Sequence, residues 1–331
     1  MRNLTFVDVC SGAGGLALGL EQAGFEPRLL LDDDDLAVTT LRTNRPHWNV
    51  LRTDLLEFDP AEHPVSHDVD LLAAGLPRVR SSATTRRVDT GIEERLLEAT
   101  VYLVHAIRPR AVLIENVPEL AHSDLHRGFR DFVHAELDHL GYEFSWFVVK
   151  AVDFGVPQSR RHGVLVAVGR EWSAAFRQPA GPTREPMTVG AALGSSMAAR
   201  GWPDAARWAA QADRPAPTLV GGSKNRGGAD LGPTRAKQKW ATMGVNAHTV
   251  GDTVPGPDFV WDPALGRDNM VKLTVEQAAL LQGFPATWQV SGRKTARYRQ
   301  VGHATPPPVG KALGQAVAEA LESDSAIFAA G

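Results

Sequence analysis

The stretch at residues 68–87 places a group of cationic and hydroxyl side chains directly after a predicted strand. A short, mostly apolar run breaks at Gly75 and Pro77, and a Ser/Thr-rich loop follows. A run of this length bounded by turn residues is typical of a buried parallel strand. Ligands collect outside the carboxyl ends of such strands in open α/β sheets. We therefore expect the chemistry at this loop, which carries Arg78, Arg80, Arg86 and Arg87.

A glycine-rich turn follows the first predicted strand, at residues 4–9, and precedes a predicted helix at residues 16–23. Its residues are Cys10, Ser11, Gly12, Ala13, Gly14 and Gly15. Glycines allow the backbone to approach a ligand closely at a helix N-terminus. The alternative is that the turn only packs a helix on a sheet, which many such turns do.

Acidic residues follow the next two predicted strands. The strand at residues 27–31 ends in four aspartates, Asp32 to Asp35, about 20 residues after the first glycine, as expected for an acid that binds the ribose of an adenosine-type cofactor. The alternative is a set of caps for the helix predicted at 36–44. A third strand, at 50–52, leads to Asp54. Glycine, aspartate and aspartate at three successive strand ends favour a nucleoside cofactor.

Glu115 follows a fully apolar predicted strand at residues 111–114. We expect a carboxylate at this place to be desolvated, which favours its protonated form and suits it to deliver a proton. The alternative is a structural carboxylate that caps the next turn.

The elements that carry these residues alternate between strand and helix. Helices are predicted at 93–107 and 129–140, and strands at 142–150 and 163–168. This alternation predicts a mostly parallel sheet with helices on both faces. From residue 171 glycine, proline and tryptophan increase and helical periodicity weakens until about residue 267. Periodicity returns at 273–282 and 309–321, so we expect three regions, at 1–170, 171–267 and 268–331, with the last returning to the first domain.

The composition restricts the class of protein. The chain has 331 residues, 43% hydrophobic, a formal charge of -3 and one cysteine, Cys10. An internal disulfide and a multi-cysteine zinc site are therefore excluded, and we predict no metal site. No apolar run approaches the roughly 20 residues needed to span a bilayer, so we expect a soluble, cytoplasmic protein without membrane contact. Any surface that binds nucleic acid must be local, because the chain is almost neutral.

The motifs in this order resemble those of the DNA cytosine-5 methyltransferase family over nearly the whole chain. Residues 8–15 resemble the S-adenosylmethionine loop, and Gly75-Leu76-Pro77 resembles the start of the catalytic loop. Glu115-Asn116-Val117 matches the family's Glu-Asn-Val triplet, and residues 155–160 resemble the motif that supports a flipped base. Residues 273–285, 298–302 and 306–308 resemble the closing motifs.

The resemblance implies an α/β, Rossmann-like methyltransferase fold with a smaller, irregular target-recognition domain, and S-adenosylmethionine as cofactor. It implies a base flipped out of duplex DNA, attacked at C6 by a cysteine thiolate and stabilised at N3 by the triplet glutamate. Cofactor contacts are then expected at Cys10, Ser11, Gly12, Ala13, Gly14, Gly15, Asp32, Asp33, Asp54, Leu55, Gly75, Pro77 and His303. The catalytic candidates are Glu115, Arg160, Arg78 and His162.

A basic, glycine-rich run at residues 221–239 is the main candidate for contact with the DNA backbone. Its alternative interpretation is a solvated loop. With the loop arginines, the expected DNA-binding residues are Arg80, Arg86, Arg87, Lys224, Arg226, Arg235, Lys237 and Lys239. The resemblance also admits a restriction or defence partner, whereas the recognition sequence and the oligomeric state stay open.

The chain departs from the family at four positions around the reaction centre. Arg78 occupies the nucleophile position, where a guanidinium has no lone pair to add to C6. Cys10 stands where the family has a phenylalanine. His162 stands where the family has an arginine that contacts the base, and His303 stands where the family has an asparagine. Cys10 as a relocated nucleophile would lie on the methyl-donor side of the ring, so a small packed residue is the favoured interpretation.

Three hypotheses follow from these departures. The protein could methylate cytosine in DNA by unusual means, with Glu115, Arg160 and Arg78 stabilising charge. It could instead be a catalytically silent relative, a pseudoenzyme that binds DNA and S-adenosylmethionine as a regulator or partner subunit. It could also methylate another atom or base without a thiolate adduct. We expect cytosine-5 activity to be absent or weak.

Overall fold

The computed structural model describes residues 3–79, 91–181, 185–221 and 228–323. Within these ranges a sheet of seven strands has the order β3-β2-β1-β4-β5-β7-β6. Its strands are β1 (Thr5–Val9), β2 (Glu26–Asp32), β3 (Val50–Arg52), β4 (Leu71–Gly75), β5 (Ala111–Asn116), β6 (Tyr142–Lys150) and β7 (Arg161–Gly169). Pairs from β3 to β5 are parallel, whereas β7 runs antiparallel to β5. The predicted α/β fold with a mostly parallel sheet is confirmed.

The helices follow the strands in alternation and then dominate the second half of the chain. They are α1 (Gly15–Gln22), α2 (Asp35–Asn44), α3 (Ile92–Ile107), α4 (Pro118–His122), α5 (Arg127–His139), α6 (Arg170–Ser173), α7 (Val189–Ala198), α8 (Ala205–Gln211), α9 (Thr234–Thr242), α10 (Val275–Leu281), α11 (Lys294–His303) and α12 (Pro307–Glu322). Short 3-10 helices lie at Pro60–Glu62, Pro64–Ser66, Asp124–His126, Ala151–Phe154, Pro263–Leu265 and Arg267–Asn269. Among the described residues, no helix combines the length and apolar character needed to cross a membrane.

Two compact units divide the chain. The first unit comprises residues 1–149, 161–180 and 309–331, and the second comprises 150–160 and 181–308. The predicted division into functional regions at residues 170 and 267 stays a prediction, since these units are defined by packing and not by role.

The sheet of the first unit has two different faces, because successive side chains of a strand point to opposite sides. On one face, Val7, Ala74 and Ile114 pack in a buried cluster with residues of α3 and α5 such as Leu97 and Val133. The alternate residues face the other side, where α1 and α12 approach closely. A Cβ on Gly310 of α12 would lie 3.0 Å from the Leu16 carbonyl oxygen.

The second unit is more helical than the sequence indicated. The weak periodicity after residue 171 predicted an irregular region, yet α7, α8 and α9 all lie there. Helix α7 is built largely from small residues, so its sequence gives little amphipathic signal. A Cβ on Gly190 would lie 1.9 Å from the Ala209 carbonyl oxygen, so α7 and α8 require glycine at their contact. Trp208 and Trp240 are fully buried in this unit.

Candidate functional site

The glycine-rich turn joins β1 to α1 in a conformation that needs glycine. Gly12 and Gly14 have φ of 54° and 81°, in the left-handed region where a side chain causes strain. The backbone N–H of Gly12 donates to Asp32 Oδ2 at 2.7 Å, and that of Asp34 donates to Asp32 Oδ1 at 2.9 Å. Asp32 therefore fixes the turn at the end of β2.

Two aspartates at the end of β2 have different structural roles. Asp34 caps α2, because its Oδ1 accepts from the Leu36 N–H at 2.8 Å, whereas Asp32 holds the glycine-rich turn. After β3, Asp54 Oδ1 accepts from the Leu56 N–H at 2.9 Å, and Leu55 is buried. The capping alternative is thus found at Asp34, whereas the binding of ribose by Asp32 stays a prediction.

Aspartates beside the turn give it a negative field, to which Asp8 does not contribute at neutral pH because its carboxyl group keeps its proton. The pKa of Asp32 is raised to about 6, mainly by burial and only partly offset by its backbone hydrogen bonds. Burial raises the pKa of Asp8 to about 8, and neither of its carboxylate oxygens has a hydrogen-bond partner among the described residues. Asp8 begins the segment that resembles the S-adenosylmethionine loop, but it was not among the expected cofactor contacts, although it is the single charged residue within β1.

This environment fits a cationic cofactor with an adenosine part. The glycine-rich turn and the strand-end carboxylates would hold S-adenosylmethionine, whose sulfonium and ammonium charges complement the negative field. A dinucleotide pyrophosphate would instead meet repulsion from Asp32, Asp33 and Asp54. Within the described ranges, no group of three or more potential metal ligands is arranged to hold an ion.

Cys10 lies in the same turn, in a left-handed backbone conformation with φ of 55°. Burial, followed by the charges of Asp32, Asp8, Asp33 and Asp54, raises the pKa of its thiol well above the usual range. The thiol is therefore protonated at neutral pH, and a thiol is a poor nucleophile compared with a thiolate.

Glu115 and His162 meet on the first unit's sheet. Sequence reasoning placed Glu115 after its strand, but β5 continues through Asn116 because Gly163 of β7 still pairs with it. Glu115 pairs with Val164, so the antiparallel register brings His162 to the diagonal position on the same face. The two side chains are 4% and 0% exposed, and Glu115 Oε1 lies 2.6 Å from His162 Nδ1.

Arg78 follows β4 in a loop that Asn116 holds on both sides. Asn116 Oδ1 accepts from the Val79 N–H at 3.1 Å, and Asn116 Nδ2 donates to the Pro77 carbonyl oxygen at 3.2 Å. Val79 is buried in the cluster with α3. The sequence contained an indication that Asn116 has a role at the site, because Asn116 belongs to the Glu-Asn-Val triplet that also contains Glu115.

The charged residues that act on Arg78 lie, like Arg78 itself, in the first unit. Burial lowers the pKa of its guanidinium below the usual range, while the negative charges of Glu115 and Glu119 act in the opposite direction. Glu115 thus contacts His162 and acts on Arg78 through its charge, and the catalytic roles of all three residues stay predictions. Glu119 was not predicted, because its position in α4 was not seen in the sequence.

Arg160 lies in the second unit and has structural partners there. Its guanidinium donates to the carbonyl oxygens of Gly302 at 2.8 Å and His303 at 3.4 Å, at the end of α11. The neighbouring Gln158 donates to Gln282 Oε1 at 2.6 Å and accepts from the Leu219 N–H at 2.8 Å. The catalytic role of Arg160 and the cofactor contact of His303 stay predictions.

The predicted DNA-binding residues are only partly described. Arg80, Arg86, Arg87, Lys224 and Arg226 lie outside the described residues. On α9, Arg235 and Lys239 are exposed, whereas the Lys237 ammonium lies 2.8 Å from Asp230 Oδ2. Lys237 is thus partly neutralised within the chain.

Residues 4–319 match the model of the C-5 cytosine-specific DNA methylase family. The type II methyltransferase M.NaeI of Lentzea aerocolonigenes is 43% identical over 330 residues, which cover 98% of this chain and 77% of the relative. M.NgoMIV of Neisseria gonorrhoeae, also a type II methyltransferase, is 34% identical over 329 residues, covering 97% and 99%.

Solved structures show the same fold at lower identity. A putative DNA modification methyltransferase encoded within an E. coli prophage has a TM-score of 0.67 and 19% identity, covering 96% of this chain and 99% of that one. The S. pombe Dnmt2 methyltransferase has a TM-score of 0.60 and 15% identity, covering 97% and 99%. The predicted Rossmann-like methyltransferase fold is therefore confirmed.

Proposed function

Because this chain belongs to the C-5 cytosine-specific DNA methylase family, we propose that it binds S-adenosylmethionine and duplex DNA without forming the thiolate adduct of the family's reaction. S-adenosylmethionine is the methyl donor of the family, and DNA is its substrate. The proposal concerns what this chain does with the two.

The observation that carries the proposal is Arg78 at the end of β4. A thiolate that adds to C6 makes C5 nucleophilic, and without that adduct C5 of cytosine is a poor acceptor of a methyl group. A guanidinium has no lone pair to give, and Arg78 is held in place by the bonds of Asn116 to both neighbouring residues. The single cysteine of the chain, Cys10, has a protonated thiol.

Binding of S-adenosylmethionine is supported by the glycine-rich turn, which keeps its left-handed glycines and its bonds to Asp32. Binding of DNA is supported by the exposed cations of α9 and by the family. With binding kept and the adduct lost, the protein would act as a regulator or as a partner subunit.

A second candidate function, methyl transfer to another atom, is favoured by one observation. Glu115 and His162 form a buried carboxylate–imidazole pair at 2.6 Å, an arrangement that can accept a proton from a reacting group. An exocyclic amine could then take the methyl group directly, and its proton would pass to the imidazole.

Adduct trapping tests the proposal. The protein is incubated with S-adenosylmethionine and a random-sequence duplex pool that contains 5-fluorocytosine, whose C5 fluorine prevents release of a C6 adduct. We expect calorimetric heat with the cofactor, a shift in anisotropy with the duplex, and no complex that survives denaturation. A denaturation-resistant complex that disappears in Cys10→Ala would make Cys10 the nucleophile and contradict the proposal. Absence of binding to both ligands would contradict its binding half.

A further inference from the structure

The surface of the first unit between α3 and α5 exposes a continuous set of apolar side chains. Tyr102 of α3 is 56% exposed, and its ring meets that of Phe132 edge-on with the centroids 5.7 Å apart. The ring of Phe129 lies 6.3 Å from that of Phe132, and Leu125, just before α5, is 67% exposed. Both phenylalanines also pack against the core. Tyr102, Leu125, Phe129 and Phe132 are called the apolar strip below.

A surface cavity of about 260 Å³ opens at the apolar strip. Three members of the strip, Leu125, Phe129 and Phe132, line the cavity together with Glu94 and Glu98 of α3. The two glutamates are exposed and four residues apart, so they lie on one face of the helix, one turn from each other. Among the described residues, neither a lysine nor an arginine lines the cavity. The cavity therefore combines aromatic walls with negative charge.

The arginines at the start of α5 do not neutralise this charge, because they have other partners. Arg127 donates to Asp124 Oδ1 at 2.8 Å, and Arg130 donates to two backbone carbonyl oxygens, at 3.0 and 2.8 Å. Within the described ranges, neither of the cavity glutamates forms an ion pair. Like charges four residues apart on a helix repel each other, and a cation bound between them would relieve this repulsion.

We propose that this cavity binds an arginine side chain of a basic partner protein, while an apolar residue of the same segment packs on the apolar strip. A guanidinium stacks on aromatic rings and donates to carboxylates in a planar fork, and its methylene groups pack on apolar walls. The anionic backbone of a nucleic acid would be repelled by Glu94 and Glu98, so the partner is a protein. The proposal rests on the proposed role as a regulator or partner subunit, and it names the chemistry of the partner's segment.

Peptide selection tests the proposal without knowledge of the partner. A phage-displayed library of short random peptides is selected against the wild-type protein, and Gly128→Leu protein serves for counter-selection. Gly128 of α5 lines the cavity, and a Cβ there would have no atom within 4 Å, so a leucine fills the cavity without a clash at its Cβ. We expect the enriched peptides to share an arginine close to a leucine or an aromatic residue, and to bind Gly128→Leu poorly.

Citrulline, a neutral side chain with the shape of arginine, separates charge from shape. The most enriched peptide is synthesised with arginine and with citrulline, and fluorescence anisotropy measures the affinity of both for the wild type. We expect the citrulline peptide to bind about ten-fold more weakly. Glu94→Gln/Glu98→Gln should bring the two affinities close together. The matched control, Glu26→Gln/Glu143→Gln, removes the same charge from exposed glutamates elsewhere in the first unit and should keep the difference.

The outcomes separate this proposal from the proposed function. Enrichment of no peptide, or of peptides without arginine, would overturn the proposal. Equal affinity of the arginine and citrulline peptides for the wild type would overturn it too, and this comparison does not depend on the folding of any variant. Binding of S-adenosylmethionine and of duplex DNA is measured on the same wild-type preparation. Failure of both to bind would contradict the proposed function, whatever the peptides do.

Discussion

At the scale of single residues, the buried carboxyl groups of the first unit differ in whether the chain supplies them with hydrogen-bond donors. Asp70 shows the ordinary solution, since it accepts from the Thr5 N–H at 2.8 Å and from Arg110 at 3.1 Å. Asp8 has no such donors at its carboxylate among the described residues. Burial without a donor disfavours the charged form of a carboxyl group, so Asp8 keeps its proton at neutral pH, whereas Asp32, with a pKa of about 6, is mostly ionised.

Asp8 makes the stability of the free protein depend on pH. Its pKa is raised from 3.8 to about 8, so the folded chain keeps a proton that the unfolded chain releases. The stabilisation is complete below pH 3.8 and is lost as the pH rises toward 8. We expect Asp8→Asn to match the wild type in thermal denaturation near pH 4 and to exceed it at pH 8. Asp70→Asn, which loses a paired carboxylate, should destabilise at pH 8. Parallel pH curves for wild type and Asp8→Asn would contradict this account.

Asp32 positions the cofactor loop through a charged acceptor. Asp32→Asn removes the charge that accepts from Gly12, and the turn is then held less firmly. We expect affinity for S-adenosylmethionine to fall on the order of ten- to a hundred-fold in calorimetry. Wild-type affinity should itself fall below pH 6, where Asp32 becomes protonated. Asp59→Asn, which alters an exposed cap bond to Ala61 N–H elsewhere, is the control. Equal affinities in all three proteins would refute the role of Asp32.

At the scale of elements, the loop after β4 depends on β5. Asn116→Ala leaves the backbone N–H of Val79 without its acceptor, at a cost of about 1–3 kcal/mol in the free energy of unfolding. The Val79 amide should then exchange its hydrogen faster. Asn49→Ala removes an exposed bond to the Arg28 carbonyl and should have little effect on either readout. Unchanged exchange at Val79 would show that Asn116 does not hold the loop.

Helix α9 offers a separate test of DNA contact. Arg235 and Lys239 are exposed and four residues apart, hence on one side of the helix, whereas Lys237 is paired with Asp230. The double variant Arg235→Ala/Lys239→Ala should reduce the slope of log affinity against log salt by about 2. Lys237→Ala should reduce it less. Identical slopes for all proteins would remove α9 from the DNA interface.

The strand and helix order of the first unit could be predicted from sequence, because apolar runs and their turn residues carry a strong signal. Strand β3, at Val50–Arg52, has the bounds predicted. The antiparallel orientation of β7 could not be predicted, because apolar runs do not encode strand direction. The contact of His162 with Glu115 depends on that orientation, so it could not be predicted either. The burial of Asp8 and the hydrogen bonds of Asn116 to Pro77 and Val79 also depend on tertiary neighbours, so the sequence did not predict them. In the second unit, the small residues of α7 concealed the helix.

At the scale of the whole molecule, family membership and local chemistry lead to different expectations. The match spans residues 4–319, and the cofactor turn and the Glu-Asn-Val triplet are kept. The net charge of -3 means that DNA affinity must come from local cations and should decline steeply with salt. Because Arg78 occupies the nucleophile position, we expect binding of S-adenosylmethionine and DNA without methylation of cytosine at C5.

Mass spectrometry of methylated bases tests this separation most directly. Purified protein is incubated with isotope-labelled S-adenosylmethionine and genomic DNA free of cytosine methylation, and the DNA is then digested to nucleosides. We expect no labelled 5-methylcytosine above the level of Glu115→Gln; a different labelled base would favour the second candidate function. Labelled 5-methylcytosine that is formed by the wild type, kept in Cys10→Ala and lost in Glu115→Gln would contradict the account.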